Sequence, residues 1–140
     1  MKKIISHSVK ETNQIAAKLA SKIKGGEIFG LIGNLGSGKT TFTQGLAKAL
    51  KIKDRLLSPT FVILKEYPTE KDFSLVHVDF YRLNNPTDLE SIGIFDYLGK
   101  KDKICFIEWA EKFKNQLPKQ TKYIKFTFID KFTRKIEGDL

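Results

Sequence analysis

Eight consecutive residues, Gly33-Asn34-Leu35-Gly36-Ser37-Gly38-Lys39-Thr40, satisfy the pattern G-x-x-x-x-G-K-[ST] without a mismatch. Glycines let a backbone wrap tightly enough to aim several N–H groups at one phosphate chain. Lys39 would bring a compact positive charge to the β- and γ-phosphate oxygens, and the Thr40 hydroxyl would ligand a Mg²⁺ ion bridging them. Leu35, Gly36, Ser37 and Gly38 complete the loop, and Thr41 follows it into the same candidate site. The chemistry expected of this stretch is the binding of a nucleoside triphosphate with magnesium.

A phosphate loop alone hydrolyses nothing; it needs a carboxylate at the end of a buried strand. Leu75-Val76-His77-Val78-Asp79 ends in one and Ile104-Cys105-Phe106-Ile107-Glu108 in another. Such groups hold Mg²⁺ or orient an attacking water. Each could instead be a solvated residue where a strand reaches the surface. Thr60 stands in a loop beyond the phosphate-loop helix, where a threonine can reach the γ-phosphate or metal and order that loop. A plain turn threonine is the competing reading. His77 shares a strand face with Asp79, so it lies near the site or is a satisfied core or surface histidine.

The surrounding elements suit this chemistry. Glu27 to Ile32 reads as a short apolar strand, and Phe42, Leu46, Ala49 and Leu50 repeat along one face of a helix. Strand, loop and helix in that order add the partial positive charge of a helix N-terminus to the site. Upstream, Lys3 to Ser6 could form a strand. A helix then starts at Ser8, where Ser8-x-x-Glu11 matches a capping box, with Ile15, Ala16, Leu19 and Ile23 as its apolar stripe and Gly25-Gly26 as its stop. Downstream, Pro59 holds Ser58 extended, and Phe61 to Glu66 with Ser74 to Phe80 form a hairpin across a polar tract. Asp88 to Leu98 looks helical, with Leu89, Ile92 and Tyr97 inward. Ile104 to Ile107 is a strand buried on both faces, and Tyr123 to Ile129 with Phe132 to Ile136 form a second hairpin. This pattern predicts an α/β fold, P-loop NTPase-like, with a mixed β-sheet flanked by helices on both faces and β-hairpins.

The chain of 140 residues is expected to be a single domain, 1–140. No apolar run approaches membrane-spanning length, and the opening Met1-Lys2-Lys3-Ile4-Ile5 turns polar at once, so neither a membrane nor a signal peptide is expected. The one cysteine, Cys105, sits in an apolar run as a buried thiol, which fits a cytoplasmic protein. Net charge is +9, and residues 1–57 carry 11 Lys/Arg against 3 Asp/Glu while residues 58–140 carry 14 against 13. A basic first half would favour phosphates beyond the nucleotide, RNA included; a lysine-rich solvated surface gives the same count.

Gly33 to Thr41, Ser58-Pro59-Thr60-Phe61, His77-Val78-Asp79-Phe80-Tyr81-Arg82-Leu83 and Glu108-Trp109 occur in that order. Together they make a chain that resembles the TsaE family, small bacterial P-loop ATPases, over nearly its whole length. Ser37 stands where that family usually has alanine, a harmless departure because backbone groups do the binding. The resemblance implies a role in making threonylcarbamoyladenosine in tRNAs that read codons beginning with adenine. It implies TsaD and TsaB as partners, with tRNA met through the complex and no DNA, and ATP hydrolysis supporting repeated turnover by that pair. By motif it implies Lys39 and Thr40 for phosphate and Mg²⁺, Glu108 on the metal side, and Asp79 as the water-orienting or metal-linked group. It places Trp109 beside the nucleotide and Thr12 near the base; Arg134 on the final hairpin is a candidate for the same neighbourhood.

Other readings fare less well. A guanine-reading N-K-x-D motif is absent, and Asp96-Tyr97-Leu98-Gly99, although it fits D-x-x-G, has no strand before it. A small-metabolite kinase could use Asp79 as a base, but the chain has no room for an acceptor domain and only three arginines, Arg55, Arg82 and Arg134. A non-catalytic nucleic-acid module would leave the phosphate loop unexplained.

Overall fold

The computed structural model describes residues 2–54, 56 and 63–140. Among the described residues seven strands form one mixed sheet: β1 (Lys2–Ser6), β2 (Ile28–Ile32), β3 (Leu64–Tyr67), β4 (Ser74–Asp79), β5 (Lys103–Glu108), β6 (Lys122–Phe128) and β7 (Arg134–Gly138). Their spatial order is β1-β7-β6-β2-β5-β4-β3. The four central strands β6, β2, β5 and β4 run parallel, while β1, β7 and β3 are antiparallel to their neighbours. Both hairpins expected from the sequence are present, β3–β4 and β6–β7. Phe61 and Ser58-Pro59-Thr60 lie outside the described residues.

Alternation along the strands divides the core in two. Phe29, Leu31, Leu75, Ile104, Phe106, Ile124 and Phe126 face α1 (Val9–Ala20) and α2 (Lys39–Ala49). Ile28, Val76, Val78, Cys105 and Ile107 face α3 (Thr87–Ser91) and the 3-10 segments Ile94–Asp96 and Ala110–Gln116. Helical pieces therefore cover both faces, but unequally: two long helices on one side, short turns on the other. Ile104 to Ile107 are at most 1% exposed, the continuous apolar run of a strand covered twice. Phe29 stacks on Phe106 with ring centroids 4.7 Å apart, and Phe42 meets Phe126 edge-on at 5.2 Å, tying α2 to the sheet.

Three local expectations are corrected. Helix α1 ends at Ala20, well before Gly25-Gly26: the Lys22 and Ile23 N–H groups turn back to the Leu19 and Ala20 carbonyls, a tightened last turn that still buries Ile23. Asp88 to Leu98 is not one helix, because Gly93 adopts φ 74° and separates α3 from the Ile94–Asp96 turn; Leu89 and Ile94 fill the core, with Ile92 and Tyr97 at its edge. On α2, Ala49 is exposed and Ala47 takes the inward place. The capping box at α1 is present in altered form: the Glu11 N–H donates to Ser8 Oγ at 3.0 Å, while Glu11 Oε2 reaches past the cap to the His7 N–H at 2.6 Å.

Candidate functional site

The parallel strands deliver their C-terminal ends to one edge of the sheet, and the register sets the site. Asp79 on β4 stands opposite Glu108 on β5, and Glu108 stands opposite Leu31 on β2, two residues before Gly33. Strand order departs in opposite directions from β2, toward β5 and toward β6, the arrangement that opens a crevice at the carboxyl ends. The loop after β2 fills that position. Gly33 takes φ 155°, and a Cβ there would come within 2.6 Å of the Phe126 carbonyl oxygen. Gly38, at φ 104°, ends the loop as the N-cap of α2 with no capping side chain. Helix α1 has Ser8 to satisfy its first turn; α2 leaves that task open, as an anion-binding terminus does.

A cleft of about 430 Å³ opens there, lined by Thr12, Leu35, Gly36, Ser37, Gly38, Lys39, Thr40, Thr41, Asp79, Glu108, Trp109 and Arg134. Of the other sequence-derived candidates, His77 is not on that wall but contacts Glu108 from β4, and Thr60 lies outside the described residues. Ser8, Val9, Lys131 and Phe132 also line the cleft and were not anticipated. Val9 and Phe132, 65% and 68% exposed, are large apolar residues at the start of a helix and in a hairpin turn, where nothing in the core needs them. The sequence places Phe132 in a strand, whereas β7 begins only at Arg134, so the one signal available was Val9, an apolar residue directly after a helix cap.

Lys39 Nζ donates to the Gly33 carbonyl and lies 3.7 Å from the centroid of the Trp109 ring. Burial pushes the ammonium below its ordinary range, against the opposing pull of Glu111, Glu108 and Asp79. Trp109 holds a left-handed backbone, φ 59°, rare for a bulky residue, which sets the indole beside Lys39 and 5.2 Å from the Tyr81 ring. The Thr40 hydroxyl donates to Glu108 Oε1 at 3.1 Å, and Glu108 Oε2 lies 2.6 Å from His77 Nε2. Asp79 Oδ1 accepts the Tyr81 N–H at 2.8 Å. Burial raises the Asp79 carboxyl above the usual range; the Tyr81 N–H opposes this, the Glu108 charge adds to it, and His77 and Lys39 counter it.

Two buried polar atoms on the cleft wall, Ser37 Oγ and Arg134 Nε, lack a hydrogen-bond partner among the described residues. Arg134 Nη1 is held by the Asp130 and Thr133 carbonyls at 2.6 and 3.0 Å, and its stem lies 3.6 Å from where a Gly38 Cβ would be. Thr12 Oγ1 is bonded to Ser6 Oγ at 2.7 Å, at the α1 end of the cleft. Among the described residues no three His, Cys, Asp or Glu side chains gather as a metal cage. The donor set of Thr40 and Glu108 still fits Mg²⁺, which takes one or two protein oxygens and completes its shell with phosphate and water. An unpartnered hydroxyl, an uncapped helix terminus and a buried lysine fit a phosphate chain.

The sheet, the loop and the carboxylates beside it define a P-loop NTPase-like α/β protein. Comparison with known proteins narrows this. The family model "Threonylcarbamoyl adenosine biosynthesis protein TsaE" matches residues 6–136. A TsaE protein of Aquifex aeolicus is 40% identical over 114 residues, spanning 80% of this chain and 79% of that protein. One from Treponema pallidum is 32% identical over 132 residues, 94% of this chain and 96% of its own. The crystal structure of Bacillus subtilis YdiB superposes with a TM-score of 0.74 at 32% identity, covering 98% of this chain and 83% of that one. The chain belongs to the TsaE family, whose members act in tRNA threonylcarbamoyladenosine biosynthesis.

Proposed function

We propose that this protein binds and hydrolyses ATP with Mg²⁺ to support tRNA threonylcarbamoyladenosine formation, as a cytoplasmic partner of TsaD and TsaB, meeting tRNA through that complex. The observation that carries the reading is the Thr40–Glu108 contact, 3.1 Å long, set in a cleft beside Lys39 and Asp79. Lys39 would exchange the Gly33 carbonyl and the Trp109 face for phosphate oxygens, gaining charge-assisted bonds where it now has weaker partners. The first-turn N–H groups of α2 would meet the phosphates from the other side. Thr40 and Glu108 would hold Mg²⁺, which when bound neutralises charge across the β- and γ-oxygens. Asp79, with one oxygen tied to the Tyr81 N–H, keeps the other for a water or for the metal shell. Thr12, Arg134 and Phe132 form the wall farther along the cleft, on the side where the nucleoside would extend.

Incubation with Mg-ATP and no acceptor tests this directly. Phosphate release is expected, and Lys39→Ala should abolish it while weakening ATP binding about 10- to 100-fold, the value of a charge-assisted hydrogen bond. An unchanged circular dichroism spectrum would show that the variant is folded. Release only in the presence of a small hydroxyl acceptor would identify a kinase instead, and a folded Lys39→Ala with normal affinity and turnover would refute the site.

A further inference from the structure

We infer that His77 is a positioning residue that clamps Glu108 in the orientation its other oxygen needs, a role that rests on the ATPase reading of the same cleft. The imidazole and the carboxylate side chains are 1% and 3% exposed, and Nε2 lies 2.6 Å from Oε2. The contact crosses two parallel strands: His77 is in register with Phe106, and Glu108 is the next residue along β5 on that face. Its geometry is thus fixed by the sheet. The opposite oxygen, Oε1, takes the Thr40 hydroxyl from the first turn of α2. A glutamate has three side-chain torsions, and here one oxygen is pinned from β4 so that the other points across β5 into the cleft. Removing the imidazole leaves a buried acceptor unpaired and the carboxylate free to turn away from Thr40. Histidine facing a carboxylate from behind a metal position is the outer-shell arrangement that orients ligands, and its loss typically weakens metal affinity about 10- to 100-fold.

A histidine that serves only the core predicts something else: a loss of stability with no particular effect on Mg²⁺. Three substitutions separate the two. Glutamine carries an amide N–H₂ out to the reach of Nε2, asparagine has the same group on a stem too short to touch Glu108, and leucine fills the volume without a donor. In His77→Asn and His77→Leu the Mg²⁺ concentration for half-maximal ATP-induced Trp109 fluorescence change should rise about 10- to 100-fold. Nucleotide affinity in excess EDTA should stay as in the parent, and His77→Gln should restore most of the Mg²⁺ response. A folded His77→Asn or His77→Leu with the parent's Mg²⁺ requirement overturns the inference, as does a folded His77→Gln no better than His77→Asn. A second readout needs no nucleotide and covers variants that fail to fold. In the nitrogen-15 spectrum of the nucleotide-free protein, Glu108→Gln should shift the His77 Nε2 resonance, and an unmoved resonance overturns the contact. If the parent protein gives no response to Mg-ATP at all, the ATPase reading fails and the positioning role falls with it, while the imidazole spectrum still tests the contact by itself.

Discussion

Burial acts against the charges of both Lys39 and Asp79, so the cleft holds groups that cost the nucleotide-free protein stability. For Asp79 the sign can be followed through pH. Its folded carboxyl binds a proton more tightly than the unfolded one, so below both pKa values it costs nothing. The cost grows as pH rises through the folded value and is complete above it. Asp79→Asn keeps an oxygen for the Tyr81 N–H and removes the charge. The variant should therefore melt higher than the parent at pH 7 while hydrolysing ATP more slowly, and the melting difference should shrink as pH falls into the carboxylate range. Thermal scans at pH 7 and pH 4 check this, and a variant less stable than the parent at both would contradict it. Asp79 and Glu108 could be found in the sequence because a carboxylate closing an apolar run is visible from one strand alone. His77 could not be settled that way, since its partner lies 31 residues away and only strand register brings the two together.

Helices α1 and α2 pack on each other and on the same sheet face, and Gly45 sets their separation. A Cβ at Gly45 would lie 2.6 Å from Asn13 Oδ1, 3.0 Å from the Asn13 backbone and 3.3 Å from Ala16 Cβ. Helix propensity alone would favour replacing this glycine, yet space forbids a branched side chain. Gly45→Val should lower stability by about 1–3 kcal/mol, as overpacking does, read from the urea midpoint at unchanged slope. A more stable variant would mean that α1 is free to move outward. Because α1 carries Thr12 and α2 carries Lys39 and Thr40, the same change should weaken the nucleotide site too. The strands and the two long helices were legible from the sequence, because alternation and the 3.6-residue repeat report directly on burial. The ends were not. Gly25-Gly26 was a plausible stop, but α1 closed earlier on carbonyls of its own last turn, and the Asp88–Leu98 pattern continued across a glycine that breaks the helix. Apolar spacing records which residues face the core and is silent on whether one helix or two turns carries them there.

At the scale of the whole molecule, the cleft lies at an edge of the sheet with an uncovered apolar rim. Val9, Leu35 and Phe132 on its wall are 65%, 74% and 68% exposed, and Phe128 and Ile129 continue the apolar surface along the final hairpin. A partner seated on that rim would close the cleft, and water exclusion is part of what a closed site contributes. The cleft also lacks an evident arginine finger among the described residues. Arg134, which lines it, already gives Nη1 to two backbone carbonyls, and Arg55 lies outside the described residues. In other P-loop enzymes a finger supplied by a partner accelerates hydrolysis by about 10³–10⁵. Taken with the TsaE family's place in tRNA modification, these features predict a slow ATPase in isolation that TsaD and TsaB complete by covering the rim. Phosphate release should be measured for the protein alone, then with TsaB and TsaD, each with and without tRNA. A rise of at least about tenfold on adding the partners is expected, the part of a finger's effect that an imperfectly docked complex would still give. Replacing the exposed Phe132 by serine should reduce that stimulation more than it reduces the slow basal rate, since the rim would then be poorer in the apolar surface a partner buries. Full activity in isolation, indifferent to either partner, would show that the chain already contains its complete catalytic set.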